Sequence, residues 1–121
     1  MKRILVIDDD PMLCGFCTTV LSNEGYQVYV ASNGHEGLRL LRQEPFELVI
    51  TDIFMPEKEG LETIMELKSA FAGVKIIAIS GGGTIKRELT LQMAKDLGAD
   101  HVLEKPFEVE TLINTVAEVL A

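Results

Sequence analysis

The chain has 121 residues, 47% hydrophobic and 25% charged, which suits one compact domain and leaves too little length for two independently folding units. Its formal net charge of -8 at pH 7 argues against broad binding to nucleic acid or anionic membrane, both of which need clustered Lys and Arg, and favours cations and basic partners. No apolar run approaches the roughly 20 residues of a membrane span, and the run after Met1-Lys2-Arg3 is too short for a signal peptide, so a cytoplasmic location is expected.

Short apolar runs rich in β-branched residues alternate with stretches of helical periodicity. Ile4 to Ile7 reads as the first strand. Asp10 then stands as an N-cap before Pro11 at the first helical position. Leu13, Phe16, Cys17, Val20 and Leu21 fall at helical spacing up to about Glu24, and Gly25 suits a left-handed C-cap. Gln27 to Ala31 is the second strand, and a second helix over about Gly34 to Gln43 turns Leu38 and Leu41 inward. Glu47 to Thr51, nearly all apolar, predicts a central third strand that stops at Asp52.

The loop Met55-Pro56-Glu57-Lys58-Glu59-Gly60 leads into a third helix ending near Phe71, and Lys75 to Ser80 forms the fourth strand. After Gly81-Gly82-Gly83 a fourth helix covers about Thr84 to Leu97. Asp100 to Glu104 is the fifth strand, ending at Lys105-Pro106. The closing helix runs from Phe107 and carries Val109, Leu112, Ile113, Val116 and Leu120 on its apolar stripe. Five βα units predict an α/β fold over residues 1–121, a doubly wound parallel sheet with helices on both faces.

Ligands of such a sheet sit beyond the carboxyl ends of the strands, where the strand order reverses. Strand one ends in Asp8-Asp9, strand three in Asp52, strand four in Ser80 and strand five in Lys105. Carboxylates brought together repel, and a raised pKa or a bound cation relieves them. An all-oxygen site favours Mg²⁺, Mn²⁺ or Ca²⁺; Mg²⁺ takes only one or two carboxylates and leaves another free to react. A carboxylate can attack phosphorus, and phosphoryl transfer depends on positioning and on charge stabilisation by a metal ion and lysine. Asp52, Lys105 and the cation supply these roles, while the Ser80 hydroxyl can donate to a phosphoryl oxygen.

Each residue also has a plain structural reading. Asp10 caps a helix, and Asp8 and Asp9 alone could merely complement a helix dipole. Asp52 alone would be a turn residue, and Ser80 and Lys105 alone solvated surface. Cys14-Gly15-Phe16-Cys17 has the spacing of a redox pair, yet it begins inside a helix and sets Cys17 on the apolar stripe. His35 and His101 have no second ligand at metal spacing.

At Ile4-Leu5-Val6-Ile7-Asp8-Asp9-Asp10, Asp52-Ile53-Phe54-Met55-Pro56 with Gly60, Ser80-Gly81 and Lys105-Pro106-Phe107, the chain resembles the receiver domain of two-component response regulators. The resemblance covers the whole length. It implies a flavodoxin-like (βα)5 fold with strand order 2-1-3-4-5, and Asp52 as phosphoacceptor. Asp8, Asp9, Asp52 and the Phe54 backbone carbonyl would form the Mg²⁺ shell, with Ser80 and Lys105 sensing the phosphoryl group. A cis Lys105-Pro106 bond is implied as well. So is a signalling module rather than an enzyme, served by a sensor histidine kinase or histidine phosphotransfer protein. Output to a downstream effector would pass through the fourth helix, fifth strand and closing helix, with no direct contact to nucleic acid or membrane.

The chain departs from the pattern at Val102, three before the lysine, where the family often carries an aromatic ring that reports on phosphorylation. Two rival readings stand beside this one. An aspartate-nucleophile phosphatase would use a D-x-D pair, and Asp8 and Asp10 fit that spacing. An adaptor would keep the fold and dispense with the phosphoryl chemistry.

Overall fold

In a computed structural model of the chain the described residues are 1–52, 59–71, 73–80, 92, 96 and 98–121, the side chains of 59–64 excepted. Five parallel strands, β1 (Arg3–Ile7), β2 (Gln27–Ala31), β3 (Leu48–Asp52), β4 (Lys75–Ser80) and β5 (His101–Glu104), form one sheet in the order β2-β1-β3-β4-β5. The order reverses between β1 and β3, as expected. The loop from Phe54 through Lys58, the glycines at 81–83 and the fourth predicted helix lie outside the described residues. Gln92 and Asp96 are the exceptions in that helix; both are helical, and the Gln92 amide donates to the Asp96 carboxylate at 2.8 Å.

Parallel strands buried on both faces need apolar residues of both parities, and these strands supply them. Leu5, Ile7, Val49, Ile76 and Ala78 point to one face, covered by α2 (Gly34–Gln43) through Leu38 and Leu41 and by α3 (Glu59–Ala70) through Leu67. Ile4, Val6, Leu48, Ile50, Ile77, Ile79 and Leu103 point to the other. That face is covered by α1 (Pro11–Asn23) through Cys17 and Leu21 and by the closing helix, α4 (Val109–Leu120), through Leu112 and Val116. Each fully buried Leu or Ile contributes about 1.5–3 kcal/mol, so the two layers clamp the strands and fix where their ends lie.

The caps follow the sequence. The Asp10 carboxylate accepts the Met12 N–H at 3.0 Å with Pro11 opening α1, and Gly25 takes φ +93 just past its end. Asn33 caps α2 by accepting the Glu36 N–H at 2.9 Å. The Lys105-Pro106 bond is cis.

Several boundaries move, β1 beginning already at Arg3 and α3 at Glu59. β3 runs one residue later than expected, because Glu47 closes the sheet entrance instead, its carboxylate accepting the Arg3 N–H at 2.7 Å. β5 starts after Asp100, whose carboxylate takes the Ile76 N–H at 2.8 Å while its own N–H donates to the Ile76 carbonyl at 2.8 Å. α4 starts at Val109 rather than Phe107. Phe107 packs its ring on Phe16, centroids 6.0 Å apart, and Glu108 takes the extended N-cap conformation. Val109, expected on the apolar stripe, is therefore exposed in the first turn.

Candidate functional site

Asp8 follows the last residue of β1 and continues its ladder, the N–H donating to the Ala31 carbonyl at 3.1 Å. Its side chain folds back on the next turn, one carboxylate oxygen accepting the Asp10 N–H at 2.9 Å. This is an Asx-turn. The other oxygen, Oδ2, faces Lys105 Nζ at 3.4 Å, and the same ammonium donates to Asp52 Oδ2 at 3.0 Å. Strand alternation explains the convergence. Asp8, Asp52 and Lys105 share parity with Val6, Ile50 and Leu103, so all three side chains leave the sheet toward the α1 and α4 side.

Asp8 and Asp52 are both buried, at 1% and 5% relative exposure, whereas Asp9 is exposed at the same edge. Burial pushes the Asp8 carboxyl up to about 6, and the charge of Asp52 acts the same way, while the Asp10 N–H and Lys105 oppose them. For Lys105 burial favours the neutral amine. The hydrogen bond and charge of Asp52, reinforced by Asp8, outweigh it and hold the ammonium above its ordinary range. With both carboxylates ionised, the buried group carries two negative charges against one positive.

Ser80 ends β4, buried, one position beyond Ile79, the register partner of Asp52. Its carbonyl accepts the Lys105 N–H at 2.8 Å, which ties the end of β4 to the lysine segment. Its strand parity is that of Ile76 and Ala78, opposite to Asp52. Phe54 lies outside the described residues. Among the described residues no three Asp, Glu, His or Cys side chains form a ready-made metal cage. Asp8 and Asp52 converge as a pair with the Lys105 ammonium against both. That donor set fits Mg²⁺, which needs only one or two carboxylates and fills the rest of its shell with water and phosphate oxygens.

The neighbouring motifs resolve differently. Burial raises both thiols, Cys17 to about 12, and Cys14 Sγ donates to the Asp8 carbonyl at 3.4 Å. Neither is a thiolate at neutral pH, so the redox reading of Cys14 and Cys17 has no nucleophile to use. Asp10 is exposed and committed to its cap, which removes the second carboxylate of the D-x-D reading. His35 and His101 are exposed. Of the residues expected at the site, Asp8, Asp52 and Lys105 are brought into contact; the backbone partners of Asp8, namely the Ala31 carbonyl and the Asp10 N–H, were not foreseen. The Asp-x-Asp turn directly after a strand was the signal for the second.

Residues 4–117 match the family described as the response regulator receiver domain. The chain is 34% identical over 120 residues to the transcriptional regulatory protein CpxR of Klebsiella pneumoniae subsp. pneumoniae (strain HS11286), covering 99% of the chain and 50% of CpxR. It thus spans about half the length of that relative. It is 33% identical over 120 residues to the response regulator receiver protein CpdR of Brucella abortus (strain 2308), covering 99% of the chain and 98% of CpdR. Its fold matches the chemotaxis protein CheY4 of Vibrio cholerae with a TM-score of 0.89 at 30% identity, over 99% of both chains.

Proposed function

The chain belongs to the response regulator receiver family of two-component systems, and from that premise we propose that it accepts a phosphoryl group on Asp52 in a Mg²⁺-dependent step. The donor on this reading is a sensor histidine kinase or a histidine phosphotransfer protein, and residues 1–121 act as one cytoplasmic receiver unit. The observation that carries the proposal is the single ammonium of Lys105 set against the carboxylates of Asp8 and Asp52 at the switch point of the sheet.

Asp52 supplies the nucleophile. One of its carboxylate oxygens forms the new bond to phosphorus as the bond to the donor's imidazole nitrogen breaks, and that nitrogen leaves with the electron pair. Lys105, kept charged by its two partners, stands ready to meet the phosphoryl oxygens. Asp8, Asp9, Asp52 and the Phe54 carbonyl would hold the ion. Bound Mg²⁺ supplies charge that offsets both the carboxylates and the arriving phosphoryl oxygens. An apolar cleft of about 270 Å³ between Leu13, Phe16, Pro106 and Phe107 opens beside Lys105 and offers a partner side chain a seat next to the site.

Output follows from the charge added at Asp52. Moving a two-state equilibrium from 1:99 to 99:1 takes about 5.5 kcal/mol, and one charge-assisted hydrogen bond contributes roughly 1.5–3 kcal/mol. Ser80 and Lys105 together approach a full switch, and neither does alone. Val102, half-buried against the α2 and α3 layer, brings no polar ring to lock the new state. The readout surface on this reading comprises the segment 84–97, β5 and α4, where a downstream effector would dock without direct contact to nucleic acid or membrane.

Incubating the protein with acetyl phosphate and Mg²⁺ and weighing it intact tests the proposal. The wild type should gain one phosphoryl group, and Asp52→Asn, nearly isosteric, should gain none while keeping its circular dichroism spectrum. Undiminished labelling of Asp52→Asn would move the acceptor elsewhere. Calorimetric titration should show weaker Mg²⁺ binding by Asp9→Ala, and wild-type affinity there would remove Asp9 from the ion's shell.

A further inference from the structure

We infer that Gly37, in the middle of α2, is a positioning residue for the acid cluster: it sets where β1 ends, and through Ile7 it sets where Asp8 stands relative to Asp52. This rests on the reading of Asp8 and Asp52 as ion ligands. A Cβ built on Gly37 would fall 2.9 Å from Ile7 Cγ1 and closer still to Ile7 Cδ1, with Leu5 Cδ2 at 3.7 Å. Contacts under 3.0 Å do not persist, so something must shift. Cγ1 is not the free tip of a side chain, and Ile7 is fully buried among Leu5, Ala31 and Leu38, so it cannot simply rotate into solvent.

The displacement is felt at the end of β1. Ile7 pairs in register with Ala31 of β2 and Thr51 of β3, and the next residue in the two central strands is Asp8 on one side and Asp52 on the other. Asp8 is held by the Ala31 carbonyl, the Asp10 N–H and Lys105 Nζ. A push on Ile7 that clears these contacts displaces the end of β1, and Asp8 with it, relative to the end of β3. Mg²⁺ requires near-ideal octahedral geometry with short bonds, so a displaced carboxylate is felt directly in its affinity.

Glycine is otherwise a poor choice in a helix interior, and alanine would favour the helix. A purely local role for Gly37 thus predicts that Gly37→Ala improves α2, whereas the contact with Ile7 predicts that it damages a site on a different element.

The test compares wild type, Gly37→Ala, Ile7→Val and the double variant. Two readouts are used: Mg²⁺ affinity by calorimetry, and amide hydrogen exchange of Asp8 in metal-free protein, since that N–H bonds the Ala31 carbonyl. Gly37→Ala should weaken Mg²⁺ binding by about tenfold and speed Asp8 exchange. Ile7→Val, which lacks Cδ1 and so removes the closer of the two contacts while keeping the one at Cγ1, should stay near wild type and should recover part of both losses when combined with Gly37→Ala. Wild-type values in Gly37→Ala, or losses that Ile7→Val does not lessen, would overturn the inference. Should wild-type protein bind no Mg²⁺, the reading of the site fails, while Asp8 exchange in the four proteins still decides the role of Gly37.

Discussion

Lys105 Nζ lies 3.0 Å from Asp52 Oδ2, although Lys105 follows β5 and Asp52 ends β3, two strands separated in the sheet by β4. Two strand spacings amount to about 9–10 Å, a gap that only a long side chain crosses. The lysine stem passes the end of β4 to place its charge between the carboxylates of two other strands.

Removing that charge should leave Asp8 and Asp52 buried and repelling. Breaking a buried pair costs about 3–5 kcal/mol, and Lys105, with a side chain 28% exposed, is partly screened by water. Lys105→Ala should therefore lose about 2 kcal/mol in urea denaturation at pH 7. The loss should shrink near pH 4.5, where Asp8 is protonated, and Mg²⁺ should stabilise this variant more than wild type. An equal loss at both pH values would contradict the pairing.

The Asp8 carboxyl, held at about 6 against 3.8 when unfolded, makes the metal-free fold prefer the protonated acid. That preference favours the fold fully below pH 3.8 and fades as pH rises through about 6. At 1.36 kcal/mol per pKa unit the span corresponds to roughly 2–3 kcal/mol. Asp8→Asn should match the wild type below pH 4 and exceed it by about that amount at pH 7.5, in chelator and denaturant. A difference that does not vary with pH would exclude Asp8 as its source.

Cys17 is fully buried, with its thiol pushed up to about 12 from 9.0. The neutral thiol favours the fold below pH 9.0, and this contribution drains away as pH climbs toward 12. Relative to Cys17→Ala, the wild type should lose about 1.4 kcal/mol for each pH unit between 9 and 11. Parallel stability curves for the two proteins over that range would show that the thiol does not titrate there on unfolding.

Ser80→Ala should still take up one phosphoryl group, because the serine is no nucleophile here. Phosphorylation should raise its melting temperature less than it raises that of wild type, by an amount equivalent to about 1.5 kcal/mol for one missing charge-assisted bond. Equal rises would place the new charge out of reach of Ser80.

Much of this molecule is legible in its residues because the periodicities are clean. Fully apolar runs such as Leu48-Val49-Ile50 have room only in a sheet covered on both faces, and the run Ile4-Leu5-Val6-Ile7 stops directly at Asp8 of the cluster. What escaped were choices made by tertiary contacts. Phe107 has every local reason to begin a helix, and a ring on α1 decides otherwise. Glu47 and Asp100 look like strand residues until the N–H groups of Arg3 and Ile76 need acceptors. Gly37 reads as a weak helix residue, and only the proximity of Ile7 gives it a purpose.

The opposite parity of Asp52 and Ser80 gives the sheet's end a mechanical character. One belongs to the side packed under α1 and α4, the other to the side packed under α2 and α3. A phosphoryl group held by both would work as a rivet through the rim of a laminate, joining the plies on the two sides of the strands. Tension applied at that rivet would be felt by both plies at once, so a partner resting on either surface could learn the state of a carboxylate it never touches.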